Sequence, residues 1–429
     1  MPVGLSLSAS SLRRPAVVRA GAPIRGRPSR ANLAAVLLVL SACTSRTLAT
    51  PDRSPPGPKD RASPTSSSTP ASGPTVNTSC ADHVFDSMTE EQRVGQLFVL
   101  GLPGDRLSLG EVAAIRADHF GSVSFVSFTS IGVRGVRAVA DSVQALVSTE
   151  TTADVRFFVA ANQEGGQIQP LKGPGFSVMP SAVAQGRMNP ADLEIQASRW
   201  GQELRAAGVN IDFAPVLDVV PSGTEGENQP IGVLQREYGS DPATVTLHGL
   251  AFLRGLEDAG IVTVAKHFPG LGRVVGNTDF TGNVTDTMTT ADDPFLQPFG
   301  QAIDAGVPFV MVALAKYTRI DAHHRAIFSP ILMQRILRRT LQFNGVIISD
   351  ELGVAAQVSD VSLKRRAVNF IQAGGNMVIS KEVGPAVEMY RSVVAETDSS
   401  PRFRMLVENA VHRVLRAKQA AGLLRCPIA

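Results

Sequence analysis

Aromatic residues, net charge and cysteine are all scarce in this chain, and each shortage narrows what it can do. Aromatics make up 5% of the 429 residues, with a single tryptophan, Trp200. A long oligosaccharide groove paved with stacking rings is therefore excluded. The formal net charge is only +3, and much of the basic excess sits near the start, at Arg13, Arg14, Arg19, Arg25, Arg27 and Arg30. The rest of the chain carries no basic footprint for nucleic acid. No glycine fingerprint of the G-x-G-x-x-G kind follows a first strand, so nothing points to a dinucleotide. The seven histidines are scattered, and adjacent His323 and His324 lack the i, i+4 spacing of a helical zinc pair. No metal or cofactor is expected. What remains is a soluble globular composition, 44% hydrophobic and 18% charged, with room for a large core.

The three cysteines have separate meanings. Cys43 closes Leu40, Ser41 and Ala42, directly after the apolar run 33–40 and the basic stretch before it. Basic, then apolar, then small residues is the layout of a secretory signal. The run is too short to span a bilayer. Its ending resembles a bacterial lipobox, which implies that Cys43 is lipidated and that the protein is exported and anchored to the outer face of the membrane. Residues 1–42 are then the signal. Residues 43–79, rich in Pro, Ser, Thr and Gly, read as a tether. Residues 80–429 read as one domain. Cys80 and Cys426 bracket that domain, and an oxidising compartment allows them to pair.

Apolar strand-like runs recur through the domain, at 96–102, 122–128, 156–161, 210–216, 262–265, 309–314, 345–349 and 376–380. Amphipathic stretches lie between them, including 133–149, 192–207, 243–259 and 362–373. Gly208, Gly260 and Gly374 mark helix ends. Eight strands that are nearly all apolar, alternating with helices, predict a parallel sheet covered on both faces. Eight is also the number that closes a (β/α)₈ barrel, in which chemistry gathers at the strand C-terminal ends. A doubly wound open sheet is the alternative.

The strand ends carry the polar residues. The third run is followed by Asn162, Gln163, Glu164 and two glycines, the fourth by Asp218, and the fifth by Lys266, His267 and the loop to Asp279. Lys316, Arg319 and Asp321 follow the sixth; Asp350 and Glu351 end the seventh. Carboxylates, amides and cations together suit a neutral polyhydroxylated ligand, because each sugar hydroxyl wants a donor and an acceptor. Residues 162–166, 210–219, 231–239, 266–272, 310–313 and 343–352 fall in the order of, and resemble, glycoside hydrolase family 3. The resemblance is to its single-domain bacterial β-N-acetylglucosaminidases. It implies a retaining glycosidase with Asp350 as nucleophile, and Asn162, Arg236, Lys266 and His267 as sugar-binding residues. A carbohydrate substrate and a monomeric state are expected. Asp218 reads as a structural turn residue.

The chain departs from that family where the proton donor should be. The family's loop after Lys-His-Phe-Pro-Gly carries an Asp and His dyad. Here Asn277 and Asp279 stand in those two places and no histidine follows. Asp279 is expected to act as the acid; Asp286, Glu227 and the pair His323 and His324 are the alternatives. Asn162 stands where the family has aspartate, which keeps an acceptor and loses a charge. Gln167 and Pro170 stand at arginine positions. A catalytically degenerate, sugar-binding surface lipoprotein on the same barrel is the competing expectation.

Overall fold

The structure, a computed structural model, describes residues 79–425 apart from residue 104. The signal, the lipobox, most of the tether, Cys43 and Cys426 lie outside the described residues. Eight strands run in chain order: β1 Phe98–Leu102, β2 Ser122–Phe125, β3 Phe158–Ala161, β4 Ile211–Asp212, β5 Val262–Phe268, β6 Phe309–Val312, β7 Val346–Glu351 and β8 Met377–Ser380. Each pairs in parallel with its neighbours in sequence, and β8 pairs with β1, so the sheet closes into a (β/α)₈ barrel. The eight sequence runs all become strands. They are buried along nearly their whole length, as a sheet faced by helices outside and packed side chains inside requires. Inside, the rings of Phe158 and Phe309 meet edge to face at 5.6 Å.

The helices start where capping chemistry allows. Asn189 caps Pro190–Ala206 and Asp241 caps Pro242–Asp258, each accepting a first-turn N–H, with proline at the first helical position. Gly374, at φ 114°, ends Leu363–Ala373 in the left-handed conformation that glycine adopts without strain.

The last described helix, Pro401–Ala420, brings its C-terminal turn to the strand starts. Its Lys418 is fully buried, and the ammonium donates to Gln96 Oε1 at 2.7 Å, Gly121 O at 2.6 Å and Arg156 O at 3.0 Å. Those three acceptors precede β1, β2 and β3, so one cation ties three strand starts together. The same helix receives the first one, Cys80–Ser87. The Ala81 N–H donates to Gln419 Oε1 at 2.9 Å, and the Phe85 ring stacks on His412 at 4.0 Å. Cys80 is disulfide-bonded.

The strands differ in extent from the sequence runs, and the differences at β5 and β4 bear most on the site. β5 continues past residue 265 through Lys266 and His267. Polar side chains can stay in a buried strand when each finds a partner, and both do. β4 is only two residues long; beyond it the Val264 N–H donates to Ala214 O at 2.9 Å and the Lys266 N–H to Pro215 O at 3.1 Å, and a single bridge joins Val216 to Lys266. A short ribbon of Thr285–Asp286 against Lys316–Tyr317 was not legible in the sequence.

Candidate active site

A cavity of about 380 Å³ opens at the C-terminal face of the barrel. Asn162 and Glu164 enter it from the end of β3, Arg236 from the loop after β4, His267 from β5 and Asp279 from the loop beyond. Asp350 and Glu351 enter from β7, and Lys381 from the end of β8.

Glu164 is the hub of the floor. It is followed by Gly165 at φ 103° and Gly166 at φ 55°. A Cβ on Gly165 would stand 2.2 Å from Pro180 O, so this tight turn admits only glycine. The turn aims Glu164 inward, where Arg236 grips it with two 2.7 Å bonds, from Nε to Oε2 and from Nη2 to Oε1. Lys266 pairs with Oε1 of the same carboxylate and donates to Asn162 Oδ1 at 2.8 Å. Burial alone would raise the Glu164 pKa, but the Arg236 and Lys266 charges outweigh it and hold the group at about 2. Glu164 is therefore a fixed anion, and Arg236 a fixed cation whose fork is already oriented. Lys266, only 1% exposed, does not line the cavity; it lies beneath Asn162 and Glu164 and braces them.

His267 is oriented from behind. Its Nδ1 lies 2.7 Å from Asp218 Oδ2, and a carboxylate there can only accept, so Nδ1 carries the proton and Nε2, on the cavity side, accepts from Arg236 Nη2 at 3.4 Å. Asp218 is fully buried, and its Oδ1 also accepts the N–H of His267 at 3.2 Å and of Leu271 at 2.8 Å. The turn role expected of Asp218 is present, and a positioning role is joined to it. The loop then packs hard on its neighbour: a Cβ on Gly272 would come within 1.8 Å of Val219 O.

The two carboxylates at the end of β7 have different surroundings. Glu351 is spent on backbone: Oε1 accepts the N–H of Gly353 at 2.7 Å and of Val354 at 2.9 Å, and Oε2 accepts that of Lys381 at 2.8 Å. Burial raises its pKa to about 7 against those bonds. Asp350 is half-buried and bonds only its neighbour, Oδ1 accepting the Glu351 N–H at 2.8 Å. Its other oxygen has no protein partner among the described residues.

Asp279 lines the cavity with its carboxylate 2.7 Å from Lys381 Nζ. Its loop is fixed to the segment after β7, where the Ala356 N–H donates to Asp279 O at 3.0 Å and that of Gln357 to Thr278 O at 3.1 Å. The other acid candidates lie elsewhere. Asp286 closes its own turn on Met288 and Thr289. Glu227 is exposed. His323 and His324 line a separate cavity, with His324 held by Asp321 at 3.0 Å. Sequence placed Glu164 and Glu351 among the polar strand ends without assigning either a role, and it missed Lys381. Lys381 had the same signal as Lys266, a cation at the end of an apolar strand. Among the described residues no group of three His, Cys, Asp or Glu side chains is arranged to hold a metal.

A closed parallel barrel with a charged, hydrogen-bonding floor and two further carboxylates at the strand ends defines a barrel enzyme for a sugar-like substrate. Residues 89–417 match the glycosyl hydrolase family 3 N terminal domain, and the chain belongs to that family. A solved structure of a β-N-acetylhexosaminidase from Beutenbergia cavernae is similar, with 43% identity and a TM-score of 0.77. That match covers 77% of this chain and 99% of the other. A family 3 β-N-acetylglucosaminidase from a Paenibacillus species is 25% identical at a TM-score of 0.70, over 80% of this chain and 65% of that one. A β-hexosaminidase from Methylococcus capsulatus is 32% identical over 269 residues, which is 61% of this chain and 77% of the relative.

Proposed function

We propose that this protein is an exported, lipid-anchored β-N-acetylhexosaminidase that cleaves its substrate by double displacement, with retention at the anomeric carbon. The chain is a family 3 glycosidase related to β-N-acetylhexosaminidases. The observation that carries the mechanism is the contrast at the end of β7. Asp350 has a free oxygen in the cavity, while Glu351 beside it is consumed by three backbone N–H groups. Glu164, Arg236, Asn162 and His267 hold the hydroxyls and amide of the terminal sugar over Asp350. An Asp350 oxygen attacks the anomeric carbon, the bond to the leaving oxygen breaks, and that oxygen takes a proton from the Asp279 and Lys381 pair. Water then attacks the glycosyl ester, returns a proton to the pair and frees Asp350.

The test is turnover of para-nitrophenyl N-acetyl-β-glucosaminide by the full chain, with the first-formed sugar followed by NMR. The β anomer is expected before mutarotation. An α anomer would sink the double displacement. Binding of N-acetylglucosamine without turnover of any glycoside would instead favour the sugar-binding lipoprotein.

Export and anchoring rest on the sequence up to Cys43: the basic stretch, the apolar run 33–40 and the ending Leu40–Cys43. In a bacterial host the full chain is expected in the membrane fraction, and Cys43→Ser is expected to shift it out. A Cys43→Ser protein that still sediments with membranes would remove the lipid anchor from the proposal.

A further inference from the structure

The chain has 19 phenylalanines, three tyrosines and one tryptophan. All lie within the described residues, and only two are exposed, Phe128 at 64% and Phe280 at 83%. Both line the active-site cavity. Leaving a phenylalanine in water forgoes about 1.5–3 kcal/mol of burial, so folding gives no reason for either position. Phe128 follows β2, and Phe280 lies in the loop after β5, three strands away around the barrel. The rings thus come to one mouth from separate arcs of the rim.

Exposed as they are, both sit on fixed backbone. Next to Phe128, the Thr129 N–H donates to Pro170 O at 2.9 Å and the Lys172 N–H to Thr129 O at 3.0 Å. The Lys172 ammonium lies 5.5 Å from the centre of the Phe128 ring. The Phe280 N–H donates to Asn277 O at 3.1 Å, and Asp279 before it is tied to Ala356. Rings presented to solvent on a pinned backbone lose little entropy when a ligand covers them.

From these positions we infer that Phe128 and Phe280 form a leaving-group subsite that takes a second pyranose ring. The inference rests on the glycosidase reading above. With the terminal sugar over the charged floor, whatever is attached to its anomeric carbon leaves through the mouth, between Asp279 and these rings. A pyranose presents an apolar face of C–H groups, which an aromatic face covers while the hydroxyls stay in water. Two rings suffice for one further sugar. The scarcity of other exposed aromatics limits the site to that length, so the preferred substrate is a disaccharide or the end unit of a short chain.

The experiment compares N,N′-diacetylchitobiose with N-acetylglucosaminyl fluoride, whose leaving group is one atom and cannot reach the rings. Phe128→Ala and Phe280→Ala are each expected to lower kcat/KM for the disaccharide about five-fold relative to the fluoride, chiefly through KM. Phe280→Tyr should restore the ratio. Phe128→Ala is the cleaner variant, because Phe280 adjoins Asp279. A ratio that neither alanine variant moves would overturn the subsite. A fall confined to aryl glycosides, with chitobiose unaffected, would overturn the sugar in favour of an aromatic leaving group. If the unaltered chain does not turn over the fluoride, the glycosidase reading falls and the subsite with it; turnover of the fluoride with an unmoved ratio removes the subsite alone.

Discussion

Asp350→Ala will lower turnover of para-nitrophenyl N-acetyl-β-glucosaminide on the order of 10⁴-fold or more, and the protein will remain folded. The fold should survive because Asp350 is half-buried and its one protein bond is to the amide of the next residue. The chemistry should not survive, because no other carboxylate in the cavity is free to take the role. Glu164 is held at about 2 by Arg236 and Lys266, and leaving that grip would strand two buried cations. Glu351 would have to release three backbone N–H groups. Asp279 is paired across the mouth with Lys381. A fluorinated glycoside that slows the second step should leave a glycosyl adduct on the peptide bearing Asp350, seen by mass spectrometry. Undiminished activity in the alanine variant, or an adduct on another residue, would remove Asp350 as nucleophile.

The barrel was legible because its signal is local. Runs such as Phe-Val-Met-Val in β6 and Val-Ile-Ile in β7 are apolar on both faces, which only a covered parallel sheet tolerates. Strand ends were legible for the same reason, since a charge that interrupts such a run must find a partner or a cavity. That rule located Lys266, His267 and Asp350. It could not divide the residues it found into those that touch substrate and those that hold the first group in place. Lys266 lies below the cavity because Glu164, 102 positions earlier in the chain, reaches it. Asp218 looked like a turn residue because one of its oxygens does close a turn; the other orients His267 from a different strand. The pairing of Asp279 with Lys381 joins loops 102 residues apart. No periodicity or spacing encodes contacts of that kind.

Asp279→Asn separates chemistry from architecture through the leaving group. The family's histidine is missing from this loop, and the structure puts in its place a carboxylate 2.7 Å from an ammonium that arrives from β8. The pair has what two-step hydrolysis needs, protons to hand to a departing oxygen and an oxygen to take one from water. Asparagine keeps the shape of Asp279, and its N–H side still hydrogen-bonds to Asn277 Oδ1 through the backbone. It cannot exchange a proton with the substrate. The expected loss is about 10²–10⁴-fold for alkyl glycosides, whose departing alkoxide needs a proton, and much smaller in the first step for methylumbelliferyl glycosides, whose phenolate leaves without one. For the fluoride donor the first step should be nearly unaffected, because fluoride departs without one. The second step is then limiting in the variant, since nothing draws the proton from water. Azide, a nucleophile that needs no base, should restore the rate and give a glycosyl azide of β configuration. An equal loss on every donor would show that Asp279 holds the loop rather than moves a proton. A fluoride-dependent rate that azide leaves unchanged, with no azide product, would pass the proton-transfer role to Lys381 or to a group outside the cavity.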